Sequence, residues 1–121
     1  KLRALDTDNE SRRSIARRYF KEVQNSKLIL PSWDGTERHV FHLFVVRTEN
    51  RDQLAQFLKE QGIGTIIHYP IPPHQQEALK QYKELSFPIT EMIHNEVLSI
   101  PIGPLMTENQ VTAVISALNA Y

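Results

Sequence analysis

The stretch from His39 to Arg47 constrains the fold more than any other part of this sequence. It contains six bulky apolar residues, namely Val40, Phe41, Leu43, Phe44, Val45 and Val46. β-Branched and aromatic residues favour extended backbone, and apolar side chains at both odd and even positions point to both faces of a strand. The pattern therefore predicts a central β-strand that is covered on both faces.

Five segments have the composition and spacing of helices. The first begins at Asp6 and carries apolar residues three or four positions apart. In the second, Asn50 can cap the amino terminus and Gly62 can end the helix. A capping-box pattern that starts at Thr107 begins the last one. The predicted bounds are about 6–24, 51–61, 75–83, 88–95 and 108 to the last residue.

Three shorter apolar runs, at residues 28–30, 64–69 and 97–100, predict further strands. Strands then alternate with helices in the order α-β-β-α-β-α-α-β-α, without an internal repeat. This order predicts an α+β two-layer sandwich in which helices pack on one small sheet.

The composition excludes several classes of protein. The absence of cysteine rules out thiol catalysis, cysteine-type zinc sites and disulfides, and it favours a reducing compartment, so we expect the cytoplasm. Fourteen basic residues balance fourteen acidic ones, which argues against binding to nucleic acid or to an acidic membrane surface. The longest apolar run, residues 40–46, is too short to cross a bilayer. The chain starts without methionine or an apolar signal core, so we expect a longer parent protein.

Histidine spacing gives little support to a metal site. The five histidines are His39, His42, His68, His74 and His94. On a strand, His39 and His42 would point to opposite faces, and no His-Glu-x-x-His pattern occurs. No glycine-rich phosphate loop is present either. We therefore expect no metal site, with a histidine site as a minor alternative.

The first predicted helix carries a basic cluster, Arg12, Arg13, Arg17, Arg18 and Lys21, together with acidic residues. The mixture favours a solvated amphipathic face, with a docking surface for another chain or domain as the alternative.

A rigid bend stands out between His68 and Gln76. It places two histidines, a tyrosine and glutamine around Pro70, Pro72 and Pro73, where side chains are held at low entropic cost at the end of a strand. The spacing is equally compatible with residues that point into a cleft and with polar groups that merely face water.

Four stretches together resemble the carboxy-terminal part of the DegT/DnrJ/StrS family, the pyridoxal-phosphate (PLP) aminotransferases that act on nucleotide-linked keto sugars. They are Ser11–Tyr19, His39–Arg47, Gly62–Gln76 and Val97–Leu105. The His-Tyr-Pro bend and the Leu-Ser-Ile-Pro segment occur at the relative spacing that the family shows.

The resemblance implies the small domain of an aspartate-aminotransferase-like fold, with a small, mostly antiparallel sheet. Residues 1–26 would be a leading helix that links to a missing amino-terminal large domain, and residues 27–121 the small domain itself. The large domain would supply the Schiff-base lysine, so we expect PLP in the intact enzyme and none bound to this chain, which alone should be inactive. The leading helix and one sheet face would pack on the large domain.

The resemblance also implies partners and a binding site. The intact enzyme would be a homodimer that uses a nucleotide-sugar substrate and a glutamate-type amino donor. His68, Tyr69 and His74 would face the active-site mouth and contact the sugar or its nucleotide. The alternative is a protein of a different functional class, namely a free-standing α+β ligand-binding or dimerisation module.

Overall fold

A two-stranded antiparallel sheet forms the centre of the computed structural model, which describes residues 2–121 and leaves Lys1 outside the described residues. Strand β1 (Phe44–Arg47) pairs with strand β2 (Val97–Ile100), with Phe44 opposite Ile100. Successive side chains of a strand alternate between its faces, so one face of the pair points into the core and the other away from it.

Single bridges extend this sheet on both sides. Ile29 pairs with Arg47 beside β1, and Ile66 pairs with Ser99 beside β2, both in antiparallel orientation. The predictions of full strands at 28–30 and 64–69 are therefore wrong, because each run contributes one bridge only. The bridges still put β1 and β2 in the middle of the sheet.

The strongest predicted strand begins later than its apolar content suggests. Residues 39–43 are not a strand, because Phe41 has a left-handed backbone with φ of 46°. This turn lets the ring of Phe41 pack against Trp33 at a centroid distance of 4.9 Å and against Phe44 at 6.0 Å. Within β1 the residues are alternately buried and half-buried, so the prediction of a strand covered on both faces is wrong for this chain.

Four α-helices surround the sheet: α1 (Leu5–Glu22), α2 (Arg51–Glu60), α3 (Pro88–Glu96) and α4 (Glu108–Ala120). The helix predicted at 75–83 is wrong in type. Short 3-10 helices span Pro73–Gln75 and Glu77–Tyr82, and the second is kinked at Leu79. A third 3-10 turn, Leu2–Ala4, precedes α1.

The ends of α2 and α4 follow their sequence signals with one exception. Thr107 and Gln110 form the predicted capping box, in which the Thr107 hydroxyl accepts from the Gln110 amide and the Gln110 side chain accepts from the Thr107 amide. Gly62 has φ of 75°, and its N–H bonds the carbonyl of Lys59, which ends α2. Asn50 occupies the capping position of α2, but its side chain forms no capping bond with the described residues.

One hydrophobic core holds these elements together. It is formed by the apolar sides of α1, α2 and α4 and by the inner sheet face, with Phe44, Val46, Leu98 and Ile100. Tyr19 of α1 lies at its centre, edge-on to Phe44 at 5.0 Å, while its hydroxyl donates to the carbonyl of Pro101 at 2.7 Å. Helices over one small antiparallel sheet confirm the predicted α+β fold class.

The part of the chain from 68 to 96 contributes no residue to this core. Helix α1, in contrast, shares the core with the rest of the chain, and the predicted boundary after residue 26 stays a prediction. No described helix is long and apolar enough to cross a membrane.

Candidate functional site

The candidate site lies where the chain leaves the sheet after Ile66. The backbone of Ile66 and that of Ser99 exchange two hydrogen bonds, of 3.2 and 2.8 Å. This pairing holds the following residue pair, His68 and Tyr69, beside the outer face of β2. The peptide bond between these two residues is cis.

His68 is anchored through one ring nitrogen. Its Nδ1 lies 2.9 Å from the Oγ of Ser99, whose side chain is on the outer face of β2 and is only 6% exposed. Nε2 has no hydrogen-bond partner among the described residues, and so it is the ring nitrogen that a ligand can use. Depending on the tautomer, Nε2 either donates or accepts a hydrogen bond.

Tyr69 is held by its backbone rather than by its ring. Its carbonyl oxygen accepts a hydrogen bond from Nδ1 of His94 at 2.6 Å, which places the proton of that pair on His94 because a carbonyl can only accept. The phenol ring is 66% exposed and stands edge-on to the ring of His68, with centroids 5.7 Å apart.

His74 is in a different environment. It is 6% exposed, its Nε2 lies 3.1 Å from Oε1 of Glu91, and its ring packs edge-on to Phe87 at 5.0 Å. The same Glu91 oxygen accepts from the backbone N–H of Phe87 at the start of α3. Nε2 of His74 is thereby engaged, whereas its Nδ1 has no hydrogen-bond partner among the described residues and is the ring nitrogen that remains for a ligand.

A groove of about 180 Å³ runs beside His68. It is lined by His42, Leu43, Gly64, Thr65, Ile66, His68 and residues 99–102. The structure thus brings His68 to the groove, leaves Tyr69 exposed next to it, and buries His74 away from it. A groove with two imidazoles and the Ser99 hydroxyl can bind hydroxyl or phosphate oxygens.

Sequence reasoning missed His42 and Ser99. Ser99 is the one polar residue of β2, and the period of two along the strand sets it on the face opposite Leu98 and Ile100, a signal that was available. His42 had no such signal, since it reaches the groove only because the left-handed turn at Phe41 ends the extended run.

A larger hollow of about 500 Å³ lies at the ends of β1 and α3, but its two cationic side chains, Lys27 and Arg47, are engaged. Arg47 donates two hydrogen bonds to one carboxylate oxygen of Glu96, at 2.7 and 3.0 Å. Lys27 donates to the backbone oxygen of Tyr121 at 2.6 Å. These cations therefore stabilise the domain and leave the groove at His68 as the better candidate.

The basic cluster of α1 is largely paired within the domain. Arg17 and Arg13 both bind Glu10 at 2.8 Å, and these hydrogen bonds hold the pKa of Glu10 below its ordinary value. Arg18 binds Glu22 and Glu108, and it lowers the pKa of Glu22. Such pairing agrees with the solvated-face interpretation, although the side chain of Arg13 is itself buried.

Residues 2–121 contain no group of three or more histidine and acidic side chains arranged to hold a metal ion. Four of the five histidines, His39, His68, His74 and His94, instead make separate local hydrogen bonds, such as the bond from the Phe41 amide to Nδ1 of His39 at 3.0 Å.

Comparison with known proteins gives a consistent result. Residues 1–119 match the sequence model of the DegT/DnrJ/EryC1/StrS aminotransferase family. A transaminase from Aneurinibacillus thermoaerophilus, named for dTDP-3-amino-3,6-dideoxy-alpha-D-galactopyranose, is 47% identical over 121 residues. That alignment covers 100% of this chain and 33% of the relative.

Two solved structures share the fold. S. venezuelae DesV, determined in complex with a ketimine intermediate, has a TM-score of 0.91 and 36% identity over 98% of this chain and 33% of its own. NtdA from Bacillus subtilis with bound cofactor PMP has a TM-score of 0.81 and 28% identity over 92% of this chain and 27% of its own. The chain thus spans about one third of the length of these relatives.

Proposed function

The chain belongs to the DegT/DnrJ/EryC1/StrS aminotransferase family, and on that premise we propose that it is the carboxy-terminal small domain of a PLP-dependent aminotransferase. The enzyme would convert a nucleotide-linked keto sugar to an amino sugar. The observation that carries the proposal is the 47% identity, along the whole chain, to a transaminase named for a dTDP-linked amino sugar.

Residues 2–121 do not fit a covalent PLP site. A Schiff-base lysine needs an environment that lowers its pKa, such as an apolar pocket. All described lysines are exposed: Lys21, Lys27, Lys59, Lys80 and Lys83. We therefore assign PLP to the part of the enzyme outside these 121 residues, and we assign no step of the cofactor's chemistry to this chain.

The proposed task of this chain is to bind and orient the substrate. Nε2 of His68 would hydrogen-bond an oxygen of the sugar or its nucleotide, and the exposed phenol of Tyr69 would provide a second contact. His74, whose Nε2 is paired with Glu91, would hold the bend in place and would contact the sugar or its nucleotide through Nδ1. Fixing a substrate in this way lowers the entropic cost of reaching the transition state.

The proposal includes the partners of the intact enzyme. We propose an amino-terminal large domain, a homodimer, a nucleotide-sugar substrate and a glutamate-type amino donor, in the cytoplasm. The family match and the 33% coverage of the relatives support the large domain, because two thirds of such a protein lies outside this chain.

The experiment compares this chain with the longer protein that contains it. Each is mixed with PLP, glutamate and a dTDP-linked 3-keto sugar, and amino-sugar formation is followed by mass spectrometry. We expect turnover by the longer protein, and neither turnover nor PLP imine absorbance with the 121-residue chain. Turnover by the chain alone, or none by the longer protein with any nucleotide-linked keto sugar, would contradict the proposal.

A further inference from the structure

One continuous stretch of the chain, residues 69–92, exposes an unusual amount of apolar surface, and we call it the 69–92 surface. Seven of the thirteen large apolar side chains that are exposed among residues 2–121 lie in it. They are Tyr69, Ile71, Tyr82, Leu85, Phe87, Ile89 and Met92. The contacts of Tyr69 with His94 and of His74 with Phe87 and Glu91 bring the two ends of this stretch together. Contiguous apolar exposure marks interaction sites, whereas single exposed apolar residues do not.

Helix α3 by itself also exposes its apolar side chains. An amphipathic helix normally buries its apolar side, as α1 does with Ile15 and Tyr19. None of the described side chains of α3 is buried. Ile89 and Met92 are three positions apart and so lie on one side of this helix, where Ile89 is 72% exposed.

Two polar contacts at the carboxyl end of α3 attach this stretch to the rest of the domain, and none of its side chains belongs to the hydrophobic core. Arg47 binds Glu96 at 2.7 Å, and Arg51 donates to the carbonyl of His94 at 2.8 Å. The pairs of His74 with Glu91 and of His94 with the Tyr69 carbonyl, described above, hold the bend against α3 within the stretch itself. The apolar side chains are thereby left available on a backbone that is already positioned, which lowers the ordering cost of docking.

We propose that the 69–92 surface is the docking surface for the polypeptide that lies outside these 121 residues, the part that carries the cofactor. This inference rests on the proposed function. The chain spans 33% of the relatives' length, so about two thirds of such a protein is available to cover the surface. The partner would present apolar side chains of its own.

The position of the 69–92 surface favours the cofactor-carrying part of the enzyme as the binding partner over a second copy of the chain. Tyr69 is at once the first residue of the 69–92 surface and the neighbour of His68 in the substrate groove. Because no described lysine can hold PLP, a substrate held by His68 must face another part of the enzyme. The surface that begins at Tyr69 lies next to that meeting point.

Helix α1 is the other candidate, since the resemblance implied that the leading helix packs on the large domain. Its apolar residues Ile15, Ala16 and Tyr19 are already buried in the core, and many of its arginines are paired within the domain. The larger unused apolar area is therefore on residues 69–92.

The test uses a photoreactive phenylalanine analogue in the longer protein. It replaces Ile89 in one sample and, as a control, Leu105 in another, because Leu105 is 90% exposed but lies outside the 69–92 surface. We expect crosslinks from position 89 to residues outside this chain, and none above background from position 105. Equal labelling by solvent at both positions, without crosslinks, would overturn the inference.

A matched pair of substitutions provides a second readout. In the 121-residue chain, Ile89→Asp and Leu105→Asp should each shift Tm by less than about 2 °C, since both side chains are exposed. In the longer protein, Ile89→Asp should lower Tm clearly and Leu105→Asp should not. Equal Tm values for both variants of the longer protein would contradict the docking surface.

Two further results separate the competing explanations. If the 121-residue chain is a dimer by analytical ultracentrifugation and Ile89→Asp makes it a monomer, the occupant is a second copy and the inference is wrong. Crosslinking and Tm do not depend on turnover. An active enzyme without crosslinks at 89 would refute only the docking surface, and an inactive one with them would refute only the proposed function.

Discussion

The Oγ of Ser99 lies 2.9 Å from Nδ1 of His68, and this contact joins β2 to the bend that follows Ile66. It engages one ring nitrogen and leaves Nε2 for the groove. The orientation of His68 is therefore set by a buried residue of the sheet, not by the exposed bend itself.

Replacing Ser99 by alanine should release His68. We expect Ser99→Ala to lower the free energy of unfolding of the chain by about 1 kcal/mol, the usual net value of one hydrogen bond. If the longer protein has the proposed activity, Ser99→Ala should raise its KM for the keto sugar more than it lowers kcat. Ser99→Thr keeps a hydroxyl and should restore KM. Equal losses in both variants would show that packing, not the hydroxyl, matters at this position.

The hydroxyl of Tyr19 gives a second test of a single hydrogen bond. Burial raises the pKa of this phenol, so the group stays protonated and donates to Pro101 across the physiological range. Tyr19→Phe removes the donor without opening a cavity for the ring, and it should cost about 1–2 kcal/mol in urea unfolding. Tyr82→Phe, at an exposed ring, is the control and should leave the unfolding midpoint unchanged.

The capping box of α4 should contribute measurably to stability. Thr107→Ala removes the acceptor for the Gln110 amide, and we expect a loss of about 1 kcal/mol in the free energy of unfolding. Thr107→Ser keeps the acceptor and should retain most of that free energy. If alanine and serine behave alike in denaturant titrations, the box seen at Thr107 does not stabilise the helix in solution.

The carboxylates of α1 predict a dependence of stability on acid. Arginine partners hold the pKa values of Glu10 and Glu22 below their ordinary value of 4.5. A carboxyl with a lowered pKa in the folded state stabilises the fold above its unfolded pKa, and that contribution is lost as pH falls through the folded value. The Glu10→Gln/Glu22→Gln variant should therefore lose less stability than the original chain on acidification below 4.5.

This acid effect should be small, because both carboxylates are exposed and screened by solvent. Unfolding midpoints measured at several pH values, at low and at high salt, would reveal it. An unchanged pH profile in the double variant would show that these pairs contribute nothing to stability.

Local signals in the sequence predicted the helices well. The spacing of apolar residues correctly predicted α1, α2 and α4, and Pro88 correctly predicted the first turn of α3. Composition favours an α-helix at residues 75–83, but the backbone of Leu79 leaves helical geometry, with φ of −120° and ψ of 27°, and residues 77–82 form a kinked 3-10 helix. Helix propensity is a weak guide to local backbone geometry and carries no information about such a kink.

Long-range packing explains the errors in the strands. Residues 39–43 have a high strand propensity, but the backbone of Phe41 is left-handed and its ring packs with the rings of Trp33 and Phe20. The spacing of apolar residues cannot predict this packing, because Trp33, Phe20 and Phe41 come into contact only in the folded chain. The same turn brings His42 to the groove, so the missed strand boundary and the missed site residue have one cause.

The prolines predicted the bend between His68 and Gln76, but the sequence did not predict the hydrogen-bond partners of its two histidines. His68 and His74 belong to the same proline-rich bend, and the sequence does not distinguish their environments. In the fold, Ser99 binds His68 beside the groove and Glu91 binds the buried His74. Their different environments depend on residues 31 and 17 positions away.

The core takes no side chain from residues 68–96, and this separation has a consequence for motion. The stretch can detach by breaking a few hydrogen bonds while the aromatic and aliphatic interior stays closed, so its backbone amides should exchange with deuterium through local opening and those of α4 only through global unfolding. Sub-global opening of this kind would let the edge beside the groove rearrange at a free-energy cost far below that of melting the whole domain.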